Sequence, residues 1–230
     1  VTYSMTADTT DCDGWFNIGP TDGIVSVADS LAVDFETAAT CTLTVTSLSD
    51  DGSTSTASFD VQITDYDEFD VTQPVDDNDD DNEIPEDATA GTSANITASS
   101  SDADGTTNAV TYSIVSQTCN GAFSVDSSSG DVTVASPSAI DFEVATTCSI
   151  AIRATSADGS TADSTFDVEI TDVNDVAPQY AATDANPDVS EGTTSVDTLA
   201  ITDEDSTGSY ACTLTGDDSL LFTCVVTGSS

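Results

Sequence analysis

The stretch Phe166-Asp167-Val168-Glu169-Ile170-Thr171-Asp172-Val173-Asn174-Asp175-Val176-Ala177-Pro178 joins an alternating segment to a group of closely spaced polar side chains. Phe166, Val168 and Ile170 are apolar, and the residues between them are polar. A period of two predicts an antiparallel β-strand with one face in a core and the other in solvent. The strand therefore ends in a cluster of oxygen-bearing side chains.

Similar strands precede this one. The segments 110–115 and 149–153 alternate in the same way, and Ser127-Ser128-Ser129-Gly130 and Ala157-Asp158-Gly159-Ser160 have turn composition between strands. No segment shows a helical period. Seven short strands in about a hundred residues predict an all-β sandwich.

The chain repeats itself at an offset of 107 residues, which superposes Cys12 on Cys119 and Phe59 on Phe166. A third copy begins after Pro178, where Val189-Ser190-Glu191-Gly192 mirrors Ile84-Pro85-Glu86-Asp87. We predict a repeat over 1–75 that lacks its first strands, a complete repeat over 76–178, and the first half of a third over 179–230. Two explanations stay open: the chain is a window from a longer array, or the halves complement each other head to tail between subunits.

The charge of the chain excludes several partners. The 230 residues include 43 acidic and 1 basic residue, for a formal charge of −42. A nucleic-acid binder needs a basic face, so nucleic acid is excluded as a partner. No apolar run is long enough to cross a bilayer, so membrane insertion is not expected.

The six cysteines fall into recurring pairs. Cys12 and Cys41 are 29 residues apart, as are Cys119 and Cys148. Because the chain has no histidine and no Cys-x-x-Cys, a zinc site is not expected. An even count favours disulfides and an oxidising compartment, with free thiols as the weaker alternative. The disulfide candidates are Cys12, Cys41, Cys119, Cys148, Cys212 and Cys224.

The acidic residues form groups that recur in the same order. Carboxylates this dense repel one another, and calcium, which takes about six to eight oxygen ligands, suits such groups. The alternative is a solvated acidic surface. The candidate calcium ligands are Asp34, Glu36, Asp65, Asp67, Glu68, Asp102 and Asp104 at one junction, and Glu86, Asp141, Glu143, Asp172, Asn174, Asp175, Asp203 and Asp205 at the next.

A separate acidic run covers 76–83, where an extended solvated linker is favoured over a further cation site. Asn95-Ile96-Thr97 is a glycosylation sequon, so Asn95 is a candidate glycan site. Paired carboxylates could also belong to a glycosidase. The chain has no histidine, no lysine and few aromatic residues, so we do not expect an enzyme.

Taken together, these motifs resemble cadherin repeats, and the resemblance covers nearly the whole chain. It implies seven-stranded Greek-key sandwiches in tandem, with calcium ions at each junction. Three departures lead us to expect about two ions per junction rather than three. Asp65-Tyr66-Asp67-Glu68-Phe69 lacks the asparagine of the motif, and Val176 stands where an asparagine usually ends the motif at the second junction. Ser49 and Ser156 stand where an acidic ligand is usual, with Asp51 and Asp158 two residues on. The matching motifs are Pro85-Glu86, Asp102-Ala103-Asp104-Gly105, 110–114, 123–126, Ile140-Asp141-Phe142-Glu143 and 172–178.

The resemblance implies an extracellular or cell-surface protein in which calcium stiffens a row of repeats. We expect a structural segment of a filament, an appendage or an adhesin stalk. Two alternatives stay open: an adhesion module that binds a protein or glycan, and a spacer in a large secreted enzyme.

Overall fold

The computed structural model describes residues 1–8, 10–181, 188–196, 200–205, 211–215 and 223–224. Regular structure in these residues is nearly all β, with two short 3-10 helices at Thr10–Cys12 and Pro137–Ala139. No helix among them is long and apolar enough to cross a membrane. The strands are β1 Thr2–Ala7, β2 Phe16–Ile18, β3 Val25–Val27, β4 Thr40–Leu48, β5 Thr54–Gln62, β6 Val75–Asp76, β7 Glu83–Pro85, β8 Ser93–Ser99, β9 Thr111–Gln117, β10 Phe123–Val125, β11 Asp131–Val134, β12 Thr147–Thr155, β13 Thr161–Thr171, β14 Gln179–Ala181 and β15 Ala200–Thr202.

The middle of the chain forms a sandwich of two four-stranded sheets. One sheet has the order β10-β11-β8-β6 and the other the order β7-β13-β12-β9. The first strand of the predicted seven is split, because β6 pairs antiparallel with β8 and β7 pairs parallel with β13. The sandwich therefore begins with a segment that crosses from one sheet to the other.

The core of this sandwich follows from the alternation in the sequence. On β12 the side chains of Ile150 and Ile152 are fully buried, and on β13 Val168 is also fully buried. The facing strand β8 supplies Ala94, Ile96 and Ala98, each at most 1% exposed. Gly130 reaches the backbone of Ala98 so closely that a Cβ atom there would lie 2.0 Å from the Ala98 carbonyl oxygen.

The first repeat keeps the same plan with fewer strands. It has a three-stranded sheet of order β1-β4-β5 and a separate pair formed by β2 and β3. Its core around Cys12, Trp15 and Cys41 is small. Val27 is 52% exposed, whereas Val134 at the same place in the second repeat is 2% exposed. In the residues that the structure describes, the first repeat is therefore more open than the second.

Disulfide bonds crosslink the chain within repeats. Cys12 is bonded to Cys41, and Cys119 to Cys148, so each bond ties the segment after one strand to a central strand of the same sheet. A third bond joins Cys212 to Cys224.

Much of the predicted third repeat lies outside the described residues. In the described part β14 pairs antiparallel with β15, and residues 211–215 and 223–224 form no strand.

The acidic run 76–83 is held at both ends. Asp76 Oδ1 accepts hydrogen bonds from the backbone N–H groups of Asn78 and Thr97, and Asn82 donates to Asp76 Oδ2. Its middle, 79–81, is exposed. The run is therefore a loop anchored to the sandwich, with only its centre behaving as the expected solvated segment.

The difference in burial between the repeats predicts that shortening a valine side chain will destabilise the second repeat more than the first. Val168→Ala should lower the free energy of unfolding of the second repeat by about 2 kcal/mol, because it removes buried methyl groups from a closed core. Val61→Ala at the matching position should cost less than half as much, because Val61 is only partly buried. Urea unfolding followed by circular dichroism, with Trp15 fluorescence as the probe of the first repeat, measures both; equal losses would contradict the open first repeat.

Candidate metal centres at the repeat junctions

Three parts of the chain bring carboxylates to the first junction. Asp34 and Glu36 lie between β3 and β4, Asp65 and Glu68 follow β5, and Asp104 lies between β8 and β9. Antiparallel strands carry these loops to the facing ends of two successive repeats. Oxygen atoms within 4.8 Å of one another come from Asp34, Glu36 and Glu68 in one group, and from Glu36, Asp65 and Asp104 in a second.

Hydrogen bonds cross this junction in both directions. The Gly105 N–H donates to Glu36 Oε1 at 2.7 Å, and the Thr106 N–H donates to Asp65 Oδ2 at 2.9 Å. In return, the Phe69 N–H donates to Asp104 at 3.3 Å. The carboxylates thus belong to a contact between repeats rather than to a free acidic surface.

Gly105 permits this close approach. A Cβ atom at position 105 would lie 2.4 Å from the ring of Phe35 and 3.0 Å from Glu36 Oε1. The residue after the second aspartate of Asp102-Ala103-Asp104 must therefore be small if Glu36 is to reach the backbone of the next repeat.

A third group contains a residue that the sequence interpretation left out of the ligand set. Oxygen atoms of Asp67, Asp104 and Asp158 lie within 4.8 Å of one another. Asp158 comes from the β12–β13 turn, which is held because the Asp158 N–H and the Ser156 hydroxyl both donate to the Thr107 carbonyl. The turn brings the carboxylate of Asp158 to the group, whereas Ser156, where an acidic ligand was expected, has no carboxylate. In the sequence, the sign of this ligand is an aspartate two residues after that position.

The second junction has carboxylate groups like those of the first, with Glu86 as an additional member. One group contains oxygen atoms of Glu86, Glu143 and Asp172, and another contains those of Glu143, Asp175 and Asp205. Glu86 is 7% exposed and accepts N–H groups from Phe142 at 2.8 Å and Val173 at 2.7 Å. The two bonds tie Glu86, near the start of the second repeat, to the loop before β12 and to the segment that follows β13.

The two junctions share one further contact. The Val176 N–H donates to Asp205 Oδ2 at 2.9 Å, as Phe69 does to Asp104 one repeat earlier. Asp104 is 1% exposed and Asp205 is 2% exposed. Each junction therefore buries one aspartate of the following repeat against the backbone of the preceding one.

These groups fit a divalent cation. Three buried carboxylate oxygens of these groups have no hydrogen-bond partner within the described ranges: Asp65 Oδ1, Glu143 Oε1 and Asp205 Oδ1. Buried charge is costly unless it is paired. Arg153, the only basic side chain in the sequence, is already bound to Asp163. No other side chain of this sequence carries a positive charge to pair with these oxygens, and an all-oxygen donor set suits calcium.

The pKa values of three carboxyl groups in these clusters are raised by their surroundings. Desolvation, followed by the charges of Asp158 and Asp104, raises the pKa of Asp67. Desolvation, with Glu86 and Asp205 among the nearby charges, also raises the pKa of Glu143 and of Asp175. The protein alone therefore disfavours the ionised state of these carboxyls.

Three expected carboxylate ligands lie outside these groups. Asp141 Oδ1 accepts the Val144 N–H, Asp203 Oδ1 accepts the Asp205 N–H, and Asp102 Oδ1 accepts the Asp104 N–H. These bonds give Asp141, Asp203 and Asp102 a role in shaping the loops that present the other carboxylates. The side chain of Asn174, which carries no carboxylate, is exposed, and its role as a ligand stays a prediction.

The side chain of Asn95, the candidate glycan site, already makes a hydrogen bond. Asn95 has φ of 58°, and its side-chain nitrogen donates to the Asp81 carbonyl at 2.9 Å. Modification of this nitrogen would have to displace that bond. Glycosylation of Asn95 stays a prediction.

Comparison with known proteins matches the middle repeat to a family. The family model of the cadherin domain matches residues 81–171. A structure of human CDH23 repeats EC21-23 has a TM-score of 0.70 at 23% identity, with 90% of this chain and 70% of that chain covered. Mouse protocadherin-24 EC1-3 gives 0.66 at 20% identity, with coverage of 89% and 67%.

The ectodomain of human desmocollin-1 gives a TM-score of 0.59 at 20% identity. The match covers 89% of this chain but 40% of that ectodomain, so this chain spans less than half of it. At these identities the likeness to solved structures establishes the fold: tandem cadherin-type sandwiches.

The position of Asp158 predicts a site-specific loss. Asp158→Asn should weaken calcium binding at the first junction by about tenfold, because it removes one carboxylate from a group of three. Asp51→Asn, the matching position one repeat earlier, is the control, since Asp51 belongs to none of the described groups. Calcium titration calorimetry of both variants measures the effect; equal affinities would show that Asp158 is not a ligand.

The raised pKa values predict opposite pH effects with and without calcium. Without calcium, Glu143 and Asp175 bind protons more tightly in the folded chain, so the junction should become more stable as the pH falls toward their raised pKa values. With calcium, protons compete for the same oxygens, so affinity should fall. Calorimetry at about pH 7 and about pH 5, with hydrogen exchange of 172–176 in chelator, tests this. A calcium affinity that does not change with pH would contradict carboxylate ligation.

Proposed function

Because this chain is a cadherin-like protein, we propose that it is a calcium-stiffened structural segment of an extracellular filament, surface appendage or adhesin stalk. Its role in this proposal is mechanical and not enzymatic. Its immediate partners are neighbouring repeats of the same protein, including copies joined head to tail.

One observation carries the proposal: three of the five acidic groups, at least one at each junction, draw their carboxylates from both sides of that junction. Glu36 and Asp65 of the first repeat meet Asp104 of the second, and Glu143 and Asp175 of the second meet Asp205 of the third. A surface that was acidic for solubility alone would spread its charges apart. Here the fold concentrates like charges where two repeats must stay in contact.

Calcium bound in these groups would supply positive charge that offsets the repulsion and links the two repeats. At the first junction the ligands would be Asp34, Glu36, Asp65, Asp67, Glu68, Asp104 and Asp158, and at the second Glu86, Glu143, Asp172, Asp175 and Asp205. The Asp67, Asp104 and Asp158 group supports a third position at the first junction, beyond the two expected.

The remaining contacts suit a segment under tension. The Gly105–Glu36 and Phe69–Asp104 bonds hold the repeats in register. Within the complete repeat, the Cys119–Cys148 bond limits how far the chain can extend if its strands separate. The stiffness of the row would depend on the junctions. The resistance of each repeat to unfolding under force would depend on its core and its disulfide.

Small-angle scattering with calcium and with chelator tests the proposal. The chain should be extended and rigid in calcium and more flexible in chelator. Asp141→Asn combined with Glu143→Gln should make the calcium-loaded chain flexible at the second junction only. Asp141→Asn alters the loop that presents Glu143, and Glu143→Gln removes a proposed calcium ligand.

The matched control is Asp167→Asn combined with Glu169→Gln, which removes the same charges from the solvent face of β13. This control should keep the extended profile. Identical scattering with calcium and with chelator would reduce the acidic groups to a solvated surface and defeat the proposal.

A further inference from the structure

The loop that brings Glu143 to the second junction has few core contacts of its own. It joins β11 to β12 and covers residues 135–146, in which Ile140 is the only buried side chain. Glu143 belongs to both carboxylate groups of this junction, so like charges act to push the loop away from Glu86 and Asp205. The ends of the loop must therefore be held if Glu143 is to keep its place without a cation.

The Cys119–Cys148 disulfide connects the two ends of this loop. Cys148 is the second residue of β12, directly after the loop. Cys119 lies between β9 and β10, where its carbonyl accepts the Ala122 N–H at 2.8 Å. The Ala122 carbonyl in turn accepts N–H groups from Ala135 at 2.7 Å and Ser136 at 3.1 Å. The disulfide therefore joins the end of the loop to its beginning through one short turn.

This turn is fixed to the sandwich. Cys148 and Ala122 are fully buried, and Cys119 is 7% exposed. The Thr118 N–H donates to the Ser149 carbonyl at 3.0 Å, and the Ser149 N–H donates to Thr118 Oγ1 at 2.9 Å. The turn cannot move relative to β12 without breaking these bonds, so it is a rigid support for the loop.

The first repeat has the same connection at an offset of 107. Cys12 is bonded to Cys41 on β4. The Trp15 N–H donates to the Cys12 carbonyl at 3.2 Å, and the Trp15 carbonyl accepts the Ala28 N–H at 2.7 Å. Ala28 begins the loop between β3 and β4, which carries Glu36. Glu36 belongs to two groups at the first junction, so the connection recurs together with the glutamate that it supports.

We propose that each disulfide is a positioning bond of a calcium group. It holds the loop before β12 or β4, and with it Glu143 or Glu36, in place before calcium arrives. The cysteines would not contact the ion and would act through the loop. This inference rests on the proposed function, since it concerns how the same carboxylates are held. A loop that is already ordered loses less conformational freedom when an ion binds, so affinity is higher.

Hydrogen exchange measured by mass spectrometry over a series of calcium concentrations tests each junction separately. Residues 141–146 report on the second junction. Cys119→Ala combined with Cys148→Ala should raise the calcium concentration that gives half of the full protection there by about tenfold. Residues 34–39 report on the first junction, which should not change in this variant.

The reciprocal variant is Cys12→Ala combined with Cys41→Ala. It should raise the calcium concentration needed at the first junction and leave the second unchanged. Each disulfide would then act on the junction that its own loop serves. A chain without either disulfide that keeps the calcium response of the unchanged chain at both junctions would overturn the proposal.

A matched control separates positioning of the loop from general stability of the repeat. Ile152→Ala removes buried methyl groups from β12 and keeps the disulfide and its turn. It should destabilise the second repeat but leave the calcium response at the second junction close to that of the unchanged chain. An equal shift in Ile152→Ala and in the chain without Cys119–Cys148 would show that the disulfide only stabilises the core.

Ala135→Pro tests the same connection with both cysteines in place, and it serves if the chain without Cys119–Cys148 does not fold. Ala135 is exposed, and proline removes the N–H that donates to the Ala122 carbonyl. The second junction should again need more calcium, by a smaller factor because the Ser136 N–H remains. An unchanged calcium response in folded Ala135→Pro would contradict the proposed connection.

Exchange in chelator keeps this proposal distinct from the proposed function. Without calcium, residues 135–146 should exchange faster in the chain that lacks Cys119–Cys148 than in Ile152→Ala. Equal exchange in the two variants would overturn the positioning role. If calcium changed neither scattering nor exchange, the proposed function would fail, and the comparison in chelator would still decide whether the disulfide holds the loop.

Discussion

Repulsion between carboxylates held within 4.8 Å of one another is the constraint on which the rest of this structure depends. The strands β5 and β13 run straight into those carboxylates, so like charges gather at the ends of the sandwiches while their centres are apolar. The one basic side chain in the sequence is on β12 and is paired with Asp163, so it does not offset these charges. Among the described residues, backbone N–H groups from the neighbouring repeat do so in part, and the same bonds hold the two repeats together.

The cores are small, which gives the junctions more influence. Strand β8 contributes Ala94, Ile96 and Ala98 to the closed core, and alanine buries little area. Disulfides and tight turns such as the one at Gly130 compensate inside each repeat. The bonds that cross a junction come from other residues, such as Gly105 and Phe69. Stability within a repeat and direct contact between repeats therefore come from different residues.

Much of this could be read from the sequence, because period-two alternation and the offset of 107 are local and repeated signals. The all-β fold was predicted and is confirmed, and the predicted resemblance to cadherin repeats is confirmed for residues 81–171, which the cadherin-domain model matches. The split of the first strand into β6 and β7 was not predicted, since it depends on which sheet edge each half meets. Asp158 was left out because its position depends on the turn that the Thr107 carbonyl organises, which spacing alone does not reveal.

The two junctions are alike in their acids and unlike in how those acids are held. At the second, Glu86 ties the N–H groups of Phe142 and Val173 together, so the strand that opens the repeat also fixes its far end. At the first, Phe35 and Tyr66 offer the same N–H groups, and no acceptor from the described chain reaches them. Glu86 therefore ties the second junction to its own repeat, whereas the bonds at the first junction, from Gly105 to Glu36 and from Phe69 to Asp104, run between the two repeats. The same set of acids is thus held in part by contacts within a repeat at one junction and by contacts between repeats at the other.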